Sequence, residues 1–79
     1  MSLVDIINYG ETIISQIKEK SCDLQQSIKY LKYDQIAQYV LDFIEDWSNV
    51  PEIVWEGFSN HHSDVIRMIA NNKRQEALL

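Results

Sequence analysis

Few side chains in this sequence could hold a metal or attack a substrate. His61-His62-Ser63-Asp64 is the one run resembling a ligand cluster, and its two histidines are the only ones in 79 residues. On a helix the two imidazoles point about 100° apart, so only His61 and Asp64 share a face. A zinc site takes three or four protein ligands. The sequence offers no third histidine, no clustered cysteines and no H-E-x-x-H pattern. No metal and no cofactor is expected. Cys22, the single cysteine, precedes His61 by 39 residues. It cannot close an intramolecular disulfide, and without an oxyanion-hole motif a Cys–His nucleophile pair is disfavoured. Asp42, Glu45, Asp46, Glu52 and Glu56 could pair as acid and base, but their spacing is that of a solvated helix face. A chain this short leaves little room for a walled pocket, and it has no glycine-rich phosphate loop. The expectation is a protein that is not an enzyme.

The same carboxylates suggest a binding role instead. Trp47, Trp55 and Phe58 flank Pro51 beside Asp46, Glu52 and Glu56, and aromatic residues with an acidic rim are a common composition for a protein-binding surface. The expected contact residues are therefore Asp42, Glu45, Asp46, Glu52, Trp55, Glu56 and Phe58. Trp47 lies mid-stripe on its segment and reads as core. The plainer reading makes all three rings the packing where helices meet.

Charge supports a protein partner over nucleic acid. The net charge is −5, and residues 33–66 carry seven carboxylates with no lysine or arginine. Duplex binding relies on cations that neutralise phosphates, so nucleic acid is an unlikely partner on this balance. The alternative is a small helix-turn-helix-like transcriptional regulator, reading DNA through a C-terminal helix with Arg67, Lys73, Arg74, Asn71, Asn72 and Gln75.

The elements that must position these residues read as helical. From Glu11 to Val50 there is no glycine and no proline, and no hairpin dipeptide or sustained alternation marks a strand. Leu3, Ile7, Gly10, Ile14, Ile17, Ser21, Leu24, Ile28 and Leu31 step alternately by four and three, which is a heptad seam. Residues 36–47 place Tyr39, Phe43, Ile36, Trp47, Val40, Ile44, Ala37 and Leu41 on an apolar arc of about 200°. Such a helix lies between two neighbours or meets another molecule. Ser48-Asn49-Val50-Pro51 ends it, because proline excludes helical geometry from the residue before it and suits the first turn of the next helix.

The expected fold is all-α: a small antiparallel three-helix bundle with helices near 3–20, 22–48 and 51–76, and possible kinks near 33 and 60. Residues 1–79 form a single domain. A chain of this size has a thin stability margin, so self-association is favoured. The seam residues Leu3, Ile7, Gly10, Ile14 and Ile17 are its expected surface, and a homodimer its simplest form. No secretory signal and no apolar run of membrane-spanning length is evident, so a cytoplasmic protein without membrane contact is expected. The function read from the sequence is a non-catalytic protein–protein interaction module, a regulator, inhibitor or adaptor.

Overall fold

The computed structural model describes residues 2–78. The first helix, α1 (Leu3–Glu19), opens on Ser2, whose hydroxyl accepts the Asp5 N–H at 3.2 Å, satisfying one of the free donors at a helix start. It ends on Lys20 in the left-handed region, φ 54°. There the Lys20 N–H bonds the Ile17 carbonyl at 3.3 Å and the Ser21 N–H bonds that of Gln16 at 3.0 Å. This is the Schellman pairing, made here without the usual glycine. A short helix α2 (Leu24–Ser27) tightens into a 3-10 segment, Ile28–Lys32. Tyr33 is extended (φ −83°, ψ 123°) and breaks the helix. Helix α3 (Asp34–Phe43) follows and ends where Ile44 returns to extended backbone. A 3-10 turn, Trp47–Asn49, leads through Pro51 into α4 (Glu52–Ser59), and α5 (Asp64–Leu78) closes the chain.

Pair contacts set the directions. Gly10 lies against Tyr39, and Ile14 and Ile17 share a hollow with Ile44 and Glu45, so α1 and α3 run parallel. Between them the chain returns, with the Tyr30 ring stacked on Tyr9 at 4.3 Å. Gly57 meets Ile28 and Leu31, so α4 runs beside that returning segment. Arg74 reaches back to Glu52, so α5 is antiparallel to α4. Helix α3 is therefore central, with α1 on one side and α5 on the other. That neighbourhood meets the expectation for a helix with so wide an apolar arc. Ile13, Leu31, Ile36, Val40, Leu41, Val54 and Phe58 are the innermost side chains.

The all-helical expectation holds, and the segmentation differs. The first helix matches its expected range closely. The helix expected near 22–48 is instead a hairpin: the chain runs back to Lys32, reverses at Tyr33, and stops being α-helical after Phe43. The helix expected near 51–76 is likewise two helices, broken at 60–63. Five α-helical segments among the described residues therefore replace three, with breaks at both expected kink positions, near 33 and 60. The heptad seam is also divided differently. Gly10, Ile14, Ile17, Leu24 and Leu31 are buried, but the reversal at 20–23 folds the stripe onto itself as internal packing. Of the five residues expected at an oligomer seam, Gly10, Ile14 and Ile17 are covered by this same chain, and only Leu3 and Ile7 remain exposed. No helix among the described residues is long and apolar enough to cross a membrane.

Candidate functional site

Two places on the surface concentrate chemistry, at opposite ends of the bundle. The head carries the turns at 20–23 and 44–51; the base carries Tyr33 and the 60–63 turn.

At the head the aromatic assignment is reversed. Phe58 is fully buried and Trp55 is 6 % exposed, whereas Trp47 is half-buried at the rim. The cause is local. Because α3 ends at Phe43, Trp47 falls in the 3-10 turn and not on a continuous helical stripe. The short α4 has one inward face, made by Val54, Trp55 and Phe58. The indoles of Trp47 and Trp55 lie 5.4 Å apart, and Trp55 meets Phe58 at 6.5 Å. Trp55 and Phe58 are thus core residues, and the expectation that they form the contact surface is corrected.

The five carboxylates expected beside them are all exposed. Asp42 accepts from the Gln38 amide at 2.9 Å. Asp46 accepts from the Ser48 hydroxyl at 2.6 Å and the Asn49 amide at 2.5 Å. These bonds, Ser48 first, hold its carboxyl below the ordinary aspartate range because they favour the charged form. Glu52 is taken up by Arg74, whose Nη2 lies 3.1 and 3.0 Å from its two oxygens. The same guanidinium stands 5.5 Å over the Trp55 ring. The apolar residue that does reach solvent near this acidic edge is Phe43, 55 % exposed and packed on Tyr39 at 4.5 Å. The Tyr39 hydroxyl donates to the Glu11 carboxylate, and that bond to an anion raises its pKa above the usual tyrosine value.

On α5, the cations needed for DNA contact are engaged internally. Arg67 donates to the His61 carbonyl at 2.9 Å and pairs with Asp64, while Arg74 is held by Glu52. Lys73 is half-buried, and Asn71, Asn72 and Gln75 are exposed. Cys22 is an exposed free thiol on an open head groove of about 710 Å³, shared with Asn49, Val50 and Ile53. That places it at the far end from both histidines, so no Cys–His pair forms.

The base joins residues far apart in sequence. His61 and His62 stack with ring centroids 4.5 Å apart. His62 Nε2 lies 2.8 Å from Asp34 Oδ1, and His61 Nε2 lies 3.8 Å from the same oxygen. The His61 side chain is fully buried, and its Nδ1 accepts the Ser63 N–H at 3.1 Å. Ser63 in turn opens α5, its hydroxyl facing the Ile66 N–H at 3.4 Å. Ring orientation at the base is thus fixed by the turn that starts the last helix.

Comparison with protein-family models, curated proteins and solved structures finds no match to this chain. Function is read from the geometry alone.

Sequence reasoning missed two residues. Asp34 reads locally as a helix start, and nothing within its own segment links it to a histidine pair 27 residues later. The link follows only once two hairpins are known to turn at the same end. Phe43 reads as part of the apolar arc on 36–47, and it surfaces because the arc is wider than α1 and α5 together cover.

Proposed function

We propose that this chain is a non-catalytic interaction module that docks a partner protein against the acidic edge of α3. The observation that carries the reading is Phe43. On a helix whose Ile36, Ala37 and Val40 are fully buried, this one large aromatic side chain is mostly exposed, and the chain around it carries the exposed carboxylates Asp42, Glu45 and Asp46, the last two sharing a hollow with Lys18 and Lys20. An exposed ring inside a charged rim is the arrangement that supplies binding energy at a hot spot while the rim sets specificity. The exposed carboxylates Asp42, Glu45 and Asp46 favour a partner that brings lysine or arginine to this end of α3. A role in the cytoplasm accords with this reading.

The contact surface therefore differs from the one the sequence suggests. Asp42, Glu45 and Asp46 stay in it, Phe43 replaces Trp55 and Phe58 as the apolar anchor, and Glu52 is withdrawn by its pairing with Arg74. The DNA-reading alternative is disfavoured because Arg67 and Arg74 are spent on internal partners.

Self-association is a second reading, motivated by Leu3 and Val4, which are 72 % and 65 % exposed on the first turns of α1. A photo-crosslinking residue at position 43 tests the principal reading in the source cell. Adducts to a distinct protein from position 43, and none from position 29 on the lysine-bearing side, support it. Adducts between two copies of the chain support self-association instead, and the absence of adducts to a distinct protein from position 43 overturns the docking surface.

A further inference from the structure

We propose that Asp34, His61 and His62 form a binding site for one zinc-type divalent transition-metal ion, which would staple the base of the bundle. Three observations converge. One ligand atom from each residue lies within 4.8 Å of the other two, although Asp34 comes from the start of α3 and the histidines from the turn between α4 and α5. Second, His61 Nε2 is a buried nitrogen with no hydrogen-bond partner, and it is aimed at the cluster. Buried polar atoms are almost always paired, so an orphan at the centre of a donor set points to a missing ligand. Third, two imidazoles and one carboxylate are the donors of zinc-like ions, whereas calcium and magnesium take oxygen.

The spacing is close to what such an ion needs. Donors about 2.1 Å from a tetrahedral ion stand roughly 3.4 Å from one another. The two distances to Asp34 Oδ1, 2.8 and 3.8 Å, bracket that figure. His62 must swing off the His61 ring to aim its lone pair, and its side chain, 69 % exposed, has room to do so. His61 needs a change of tautomer. Its Nδ1 now accepts the Ser63 N–H, so Nε2 carries the ring proton. Ligation at Nε2 displaces that proton while Nδ1 takes one up, so the buried ring must open briefly to water and the Ser63 N–H gives up its acceptor. The fourth position faces solvent, since Asp34 is also mostly exposed, and water fills it.

The test uses the full, untagged chain and zinc chloride, with magnesium chloride as control. Isothermal titration should show one zinc ion per chain, the melting temperature should rise to saturation with zinc and not with magnesium, and the Ser63 amide resonance should shift. Cobalt(II) should give the visible absorption of a tetrahedral N/O site. His62→Asn and Asp34→Asn alter exposed side chains and should each weaken zinc binding about tenfold or more. Both variants are checked for an unchanged circular dichroism spectrum in the absence of metal. Two results would overturn the proposal: no saturable zinc binding below about 1 mM, weaker than nearly all resident metal sites, or binding that persists unchanged in both variants.

Discussion

The two helices that flank α3 are held by different means. On one side α1 contributes five buried residues among its 17, and Gly10 lets the ring of Tyr39 lie almost on the helix backbone. On the other, α5 buries only Ile66 and Ala70 among its 15 described positions. Side-chain clamps tie α5 instead to α4 and the 60–63 turn: Arg67 on the His61 carbonyl, Ser63 at the start of α5, and Arg74 on Glu52 and over Trp55. Apolar burial is insensitive to salt and strongly dependent on shape. Exposed ion pairs contribute little each and are screened. The contrast teaches that one flank is a permanent part of the core, and that α5 is the element most easily released.

Three substitutions would break or sharpen this contrast. The largest effect is expected on the α1 side. Ile13→Ala removes a fully buried side chain and should destabilise the fold by about 2–5 kcal/mol, read from chemical denaturation. A loss under about 1 kcal/mol would show that α1 is not the rigid flank. Next is Gly10→Val. Even a single added carbon would stand 2.9 Å from Cε1 and 3.0 Å from Cγ of Tyr39, and closer still to Cδ1, so the ring must leave. The expected loss is about 1–3 kcal/mol despite the better helix propensity, and a second change, Tyr39→Ala, should recover part of it. The smallest effect is expected at Arg74→Ala. It should lower stability by about 1 kcal/mol or less, and the difference from the parent chain should shrink between low and high salt. A large, salt-independent loss there would place α5 in the same class as α1.

The same contrast explains what the sequence could disclose. Helix α1 is legible because its apolar spacing lies within its own 17 residues, and its observed bounds fall within a residue of those expected. Pro51 likewise marks a boundary by its own chemistry. The release after Phe43 has no such mark: Ile44 through Asp46 contains neither glycine nor proline, and the chain leaves the helix there to bring α4 back across the core. Tertiary packing overrides propensity at that point. Trp47 and Trp55 exchange roles as a direct result. Periodicity shows the heptad residues to be apolar packing, but it cannot say that the chain doubles back at Lys20 and supplies its own partner stripe. Asp34 is the extreme case, since its setting depends on two turns meeting at the base.

The placement of the aromatic residues gives the contrast an optical consequence. Both indoles, Trp47 and Trp55, lie where α3 hands over to α4, with the Arg74 guanidinium over one of them. Three of the four tyrosines stand on the other flank, Tyr9 on Tyr30 and Tyr39 across Gly10. Tryptophan emission therefore responds when α5 lifts, and tyrosine bands in the near-ultraviolet respond when α1 parts from α3. The molecule carries two spectroscopic channels, one for each way in which its helices can come apart.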